Sequence, residues 1–375
     1  MRPGWFLSCC ALALLAAGCK TDNVTAKKKA ARLLDATRYD SADVLVNALA
    51  RRCPYDTGVL RLQVQLYSAE RRLREATDAL RRHDSLVGAH DSSLAVTVLM
   101  SALKNGDEQV VVCAIGACGE LALAPLFTSV RSALDDRSPY TRCVAVYALP
   151  RYNRDSTAFL LVPMMLDDNP VVRAEMLKSA ARLGDTAMLQ LTRALGYLET
   201  NDYVIWNYMV MCAVLGNGGM ADRVRRELNG KHDVLRTEAA AALVRLGEKQ
   251  RLPTVAAGLR SSEESAREAA ANALGDLHAT EYLDSLANCA LDSVEPVREA
   301  VAYGLGEMGD ARGAGAVRKL LTDHEAAVRA RALIAFARLK QPDVDQIATA
   351  ALVDSSCAVR ASAVAVLLAA GTKIP

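Results

Sequence analysis

Asp292-Ser-Val-Glu-Pro-Val-Arg-Glu-Ala-Val-Ala-Tyr-Gly-Leu-Gly-Glu-Met-Gly309 reads as one amphipathic helix with both ends marked. Val297, Ala300, Val301, Gly304, Leu305 and Met308 fall at i, i+3, i+4, i+7, i+8 and i+11, a single apolar stripe. Pro296 presets φ near the start, and Gly309 suits a left-handed stop. The block recurs at Val328-Arg329, Val359-Arg360, Ala266-Arg267, Leu235-Arg236, Val172-Arg173 and Thr141-Arg142, with degenerate copies at Val204-Ile205 and Val110-Val111. These nine anchors stand 31 residues apart, with one step of 32 between 172 and 204. A fixed period of this length marks a solenoid of stacked helical hairpins.

The rest of the composition agrees with such an array and excludes several classes. In 375 residues, 45 Lys and Arg stand against 43 Asp and Glu, a formal net charge of +2. That balance lacks the basic excess of a general nucleic-acid binder, so no nucleic acid is expected as partner. Only 5% of residues are aromatic, while small and aliphatic side chains suit closely packed helices.

Residues 1–18 stand apart. Arg2 precedes an apolar run from Trp5 to Ala17, too short to span a bilayer and of the form of a secretory signal. It ends in Leu15-Ala-Ala-Gly-Cys19, which resembles the lipobox of bacterial lipoproteins. That resemblance implies export and lipidation of Cys19, with residues 19–29, including Lys27-Lys28-Lys29, as a flexible tether beside a membrane. Seven cysteines remain beyond Cys19, an odd number without a Cys-x-x-Cys pair. Cys113, Cys118 and Cys212 sit on apolar stripes as small hydrophobes, and a Cys113–Cys143 bridge between neighbouring repeats is left open.

Residues 30–93 carry a second, weaker repeat. Arg38-Tyr39-Asp-Ser-Ala42 is matched by Arg72-Leu73-Arg-Glu-Ala76, with Tyr39 answering to Leu73 and Ala42 to Ala76. Period and small-residue placement resemble tetratricopeptide repeats, and a helical cap for the following array accounts for the same residues. From residue 94 to 375 the Val-Arg-x-x-Ala starts and the Leu274-Gly275 and Leu305-Gly306 pairs resemble HEAT repeats, particularly the short kind first associated with phycobilisome lyases. The expected fold is therefore an all-α, right-handed α-solenoid of about nine 31-residue hairpins behind a TPR-like region. Each hairpin is a helix, a turn and a second helix, and the second helices are expected to line the concave face.

Two polar features recur with the period. Arg follows the anchor at 142, 173, 236, 267, 298, 329 and 360, and Asp precedes it by five residues at 136, 167, 292, 323 and 354. Stacking would set Arg142, Arg173, Arg236, Arg267, Arg298, Arg329 and Arg360 beside Asp136, Asp167, Asp292, Asp323 and Asp354 as parallel ladders. Groups demanded by every repeat serve stacking, as helix caps and turn ties, rather than one ligand. The departures point to function instead. In the fourth unit Ile205 replaces Arg, Trp206 sits where others carry smaller groups, and Tyr203 lies beside them; aromatic side chains of this kind anchor interfaces. Packing around the longer step explains the same residues, and is preferred for Tyr208 and Met211.

No catalytic constellation emerges. Four histidines precede an acid, at His83-Asp84, His90-Asp91, His232-Asp233 and His324-Glu325. Certain HEAT-type hydroxylases hold iron through His-Glu pairs on opposing repeats, but only His324-Glu325 has that form, and it falls in a turn. These pairs read as solvated turn residues, with no metal and no cofactor. Two function classes remain. One is a membrane-anchored scaffold binding a protein or peptide in the cell envelope. The other is a lyase-like enzyme, or enzyme subunit, with a small-molecule pocket between repeats. An enclosed pocket with converging polar groups favours the second, an open groove with exposed Trp206 the first. The last unit ends at Gly371-Thr-Lys-Ile-Pro375, too short for a second helix. Its uncharged stripe therefore either rests wholly on the eighth repeat or docks against another copy or a partner domain.

Overall fold

The structure is a computed structural model that describes residues 22–87, 91–152, 157–184, 186–192 and 199–371. Cys19, the expected signal at 1–18 and His90 lie outside the described residues. Every regular element among them is helical, and none of the helices is long and apolar enough to cross a membrane.

Among the described residues five helices precede the array: α1 (Asp22–Asp35), α2 (Tyr39–Arg52), α3 (Thr57–Ala69), α4 (Leu73–Val87) and α5 (Ser92–Ala102). Residues 22–29, expected as free tether, are the first turns of α1. Side chains hold them: Lys27 reaches Asp56, the N-cap of α3, at 2.8 Å, Asn23 donates to Cys53 Sγ at 3.1 Å, and Ala30, next along the helix, is fully buried. His83-Asp84, expected in solvent, is buried at the end of α4, where Nδ1 lies 3.1 Å from the carboxylate. His324, by contrast, is exposed in its turn.

Each anchor then opens a long first helix: α6 (Glu108–Glu120), α7 (Pro139–Ala148), α8 (Pro170–Leu183), α9 (Asp202–Val214), α10 (Asp233–Arg245), α11 (Glu264–Asp276), α12 (Glu295–Met308), α13 (Ala326–Arg338) and α14 (Cys357–Gly371). Pro139, Pro170 and Pro296 occupy first turns, where the missing N–H costs nothing. Ser138, Asn169 and Asn201 cap with their side chains. The second helices are shorter, such as Leu283–Asn288 and Ala314–Leu320, and often flanked by 3₁₀ turns.

The Leu-Gly pairs find their reason in the stacking. A Cβ on Gly275 would stand 2.5 Å from the Cα of Gly304, so α11 and α12 meet backbone to backbone. Gly306 meets Ala335 of α13 in the same way, and Gly119 meets Ala148 across α6 and α7. Gly309 takes the left-handed φ of +66° that its place at the helix end calls for.

The array does not end in the open. On one flank α14 packs on α13; on the other it packs on α4, α5 and α6, the start of the array. Nine of its apolar residues between Ala358 and Leu368 are buried. The nine first helices thus form a closed ring, in which α4 and α5 also cover the flank of α14 that faces away from α13. Both sequence expectations for this end are corrected: the stripe is neither free for another molecule nor satisfied by the eighth repeat alone.

Candidate functional site

The ladder accounts for one set of polar groups. Arg298 donates from Nε and Nη2 to both oxygens of Asp323, at 2.7 and 3.0 Å, and from Nη1 to the carbonyls of Asp292 and Ser293. The guanidinium thus binds the turn before its own helix and the acid that opens the next repeat. Arg142–Asp167, Arg267–Asp292 and Arg329–Asp354 repeat the fork. Arg173 finds Glu199 one residue later, as the longer step requires. Each Asp also accepts a turn amide two residues on rather than capping the helix itself, as Asp292 does from Val294. The Arg142, Arg267 and Arg298 forks hold Asp167, Asp292 and Asp323 below the usual carboxylate range despite burial.

Ladder members without a counterpart follow the same rule. Repeat one has Val111 in place of Arg, and the Asp136 carboxylate accepts only from the Ser138 amide among the described residues. Arg236 meets Ser261 at the forward position and turns to Asp233, at 2.5 Å. Arg360, 1% exposed, binds the Asp354 and Ser355 carbonyls and Cys357 Sγ.

A second set of polar groups faces the bore of the ring. The bore is lined by first helices, which corrects the expectation that second helices carry the concave face. Residues two, three, six and ten positions past the anchors of α7 to α13 supply most of the lining, one stripe of a helix. On α8 these are Glu175, Lys178 and Arg182. Together with their neighbours they enclose a cavity of about 500 Å³ walled by seven consecutive helices, α7 to α13.

One end of this cavity has a floor of ion pairs and tyrosines from the last turns of the helices. Arg151 donates to the hydroxyls of Tyr147 and Tyr303, at 2.7 and 3.0 Å, and pairs with Glu307 at 2.8 Å, joining the second repeat to the seventh. Tyr303 donates to Asp276, which also holds Arg245 at 3.0 Å. Arg182 is paired with Glu175 and lies over the Tyr147 ring. Arg331 of α13 bonds Glu120 of α6, and Arg338 pairs with Glu307. Towards the other end, where Pro296 lines the wall, stand Trp206, Glu238, Glu268 and Glu299.

Trp206, expected as an exposed anchor, is 6% exposed, and its indole N–H donates to Glu238 at 2.6 Å. Ile205 is half-buried, while Tyr203 is exposed and accepts from Lys178 at 2.7 Å. The three therefore form no common surface: Trp206 belongs to the cavity wall and Tyr203 to its rim. Met211 is buried and Tyr208 packs half-buried on the core. Cys113 and Cys143 are both free thiols, so the bridge between them is not formed, and burial pushes the pKa of each up to about 12.

Burial, with Glu295 and Glu268 nearby, raises the pKa of Glu299 to about 7, although a third of its side chain reaches the cavity and Arg331 lies 3.2 Å away. Glu268 is likewise raised, first by burial and then, against the opposing field of Lys178, by the Glu264 and Glu238 carboxylates, and no hydrogen bond or ion pair holds it among the described residues. An acid raised on folding stabilises below its unfolded value, about 4.3, and loses that contribution as pH rises through its folded value. Glu299→Gln is therefore expected to flatten the fall in melting temperature between about pH 4.3 and 7. The loss below about pH 4, set by the ladder carboxylates, should persist in the variant. Thermal melts of both proteins across pH 3–8 are the check, and parallel curves would contradict this assignment.

Among the described residues no group of three or more His, Cys, Asp or Glu is placed to hold a metal ion. Residues 222–305 and 292–368 match the family of HEAT repeats. No curated protein sequence matches the chain. Among solved structures, similarity extends to the CpcE–CpcF complex of phycocyanin lyase from Nostoc sp. PCC7120, at 14% identity and a TM-score of 0.41, covering 66% of this chain and 94% of that one. Human deoxyhypusine hydroxylase in complex with glycerol is similar at 19% identity and a TM-score of 0.40, covering 66% and 97%. Kap121p is similar at 11% identity and a TM-score of 0.32, covering 88% of this chain and 45% of that one. Residues 222–368 of this chain are HEAT repeats, set in an all-helical array.

Proposed function

We propose that this protein is a cell-envelope lipoprotein, anchored through Cys19, that acts as a non-catalytic scaffold and receives part of a protein or peptide in the bore of its ring. The observation that carries this reading is the division of polar groups. Those that recur with the repeat are engaged with one another along the ladder, whereas those that vary between repeats gather on the inner face around the cavity. A space of about 500 Å³ suits a side chain or chain end and excludes a folded domain.

Capture from envelope membranes tests both halves. The wild type should enter the detergent phase and bring a partner with it, and Cys19→Ala should release it or stall its processing. Ala269→Trp, which fills the cavity from α11, should stay anchored and lose the partner while melting as a folded protein. Wild type recovered as a soluble protein would sink the anchor; an unchanged set of copurifying proteins with Ala269→Trp would sink the bore as recognition site.

A second reading, an enzyme or enzyme subunit acting on a small molecule in the same cavity, draws on Glu299, whose carboxyl exchanges its proton near neutrality. It predicts a turnover that Glu299→Gln abolishes without loss of binding.

A further inference from the structure

We propose that the cavity receives a singly charged organic cation, a primary ammonium or guanidinium group, between Glu268, Glu238 and Trp206. This rests on the bore being the recognition site and names the chemistry it selects. Five carboxylates line the cavity against four cations. Three of the cations are already held by acids: Arg182 by Glu175 at 2.5 Å, Arg245 by Asp276 at 3.0 Å, and Arg331 by Glu120 and Glu299. The fourth, Lys178, donates to the Tyr203 hydroxyl at the rim. Glu238 has the Trp206 indole as its hydrogen-bond partner and no cation in contact among the described residues, and Glu268 has neither.

An enclosed carboxylate without a paired cation is costly, and burial accordingly raises Glu268 even against the field of Lys178. A guest bearing one positive charge removes that cost, since it supplies the charge by which the lining falls short. Trp206 lines the same cavity, and an aromatic ring favours cations electrostatically. An anionic guest would have to take Lys178 from Tyr203 while lying against two unpaired carboxylates. A dication would over-fill the deficit. The other groups facing the site, Glu175, Asp276, Tyr147, Tyr303 and Cys143, are paired or neutral at pH 7 and do not change this balance.

The same cation could come from a Lys or Arg side chain of an extended peptide or from a free amine, and the test separates them. The sequence has two tryptophans, Trp5 and Trp206. Full-length Trp5→Phe protein therefore makes emission a report on the cavity wall. It is titrated with butylamine, N-acetyl-lysine methylamide, the neutral N-acetyl-norleucine methylamide, and butyrate. Saturable changes are expected with the two cations alone, the lysine derivative binding tighter if the source is a peptide and butylamine if it is a free amine. Glu268→Gln should weaken binding about 10-fold to 100-fold, and Lys178→Met, which removes the competing charge, should tighten it. Cation binding should strengthen as pH rises through about 7 and Glu299 ionises.

Equal responses to the neutral and cationic probes, or no saturable response to any probe, would overturn the proposal. So would unaltered affinity in a folded Glu268→Gln variant; if that variant fails to fold, unchanged or weaker binding by Lys178→Met decides against it. An envelope partner that shifts Trp206 emission in a protein blind to both cations would leave the bore as recognition site and remove only the cation.

Discussion

Deletion of residues 356–375 is expected to remove most of the stability of the protein and to loosen helices at both ends of the array. In an open solenoid the terminal repeat touches only its predecessor, so its loss is felt locally. Here α14 lies between α13 and the α4–α6 group, and Val359, Val364, Val366, Leu367 and Leu368 are each 2% exposed or less. Burial of such side chains contributes about 1.5–3 kcal/mol apiece, so the gross loss is on the order of 10 kcal/mol, comparable with the whole stability of a typical domain. Hydrogen exchange distinguishes ring from open array. In the ring, amides of Ser92–Ala102 and Glu108–Glu120 lose protection together with those of α13, although they lie far from the cut in sequence. Should the deletion leave the protein unfolded, Leu367→Ala provides the graded version, at about 2–5 kcal/mol. Protection lost from α13 alone would show that the ring is not closed in solution.

Closure is not legible in the sequence, and the reason is physical. Periodicity reports which face of each helix is apolar, and the stripe on α14 has the same spacing whether it covers one neighbour or two. The mark of closure is a quantity rather than a period: residues 361–370 carry no charge, more apolar surface than a single flank needs. The helix starts, the Leu-Gly contacts and the left-handed stop at Gly309 are legible, because each is a local demand repeated many times. So is the ladder, but its forward reach from each Arg to the Asp of the next repeat shows in only one of three exceptions, since Val111 faces Asp136 and Arg236 faces Ser261. Where Ile205 replaces Arg, the matching forward position is Gly230 rather than an acid, and both partners vanish together. Glu199 escapes the pattern because it stands one residue off the period.

The inner face escapes it for the opposite reason. Its positions vary from repeat to repeat, so a search for recurrence discards them. A signal is nonetheless present: Glu175, Lys178 and Arg182 lie three and four residues apart on α8, and Glu120, Arg151, Arg182, Arg245, Asp276, Glu307 and Arg338 occupy the same place in seven of the nine repeats, with Val214 and Ala369 in the other two, and their sign changes along the array. Acid facing base across a closed bore explains the changes of sign, as in Arg151–Glu307. The bulk of Trp206 suggests an interface anchor in the sequence, whereas in the structure it fills a wall of the same bore.

Arg298→Ala is expected to lower stability by about 3–5 kcal/mol and to leave cavity binding unchanged, the largest effect after that of the deletion. The side chain is 5% exposed and its removal deletes five hydrogen bonds, two of them to Asp323 and a long one to His324. Asp323, whose side chain is 8% exposed, would keep only the Glu325 amide and the neighbouring His324 as close partners. The cost is thus chiefly that of a nearly buried carboxylate deprived of its cation rather than the worth of the pair itself. The pH dependence identifies that origin. Asp323 is held low in the folded wild type, so its contribution is present above the unfolded value, about 3.9, and is lost as pH falls through the folded one. The gap between wild type and variant should therefore be widest near neutrality and close as the medium becomes acidic. Urea titrations of both proteins at several pH values measure it, with Arg298→Lys falling between them because ammonium cannot form the fork. Arg298 lines no part of the cavity, so cation titrations monitored at Trp206 should coincide for folded variant and wild type. Binding lost at unchanged stability would turn this edge from a stacking device into a recognition strip.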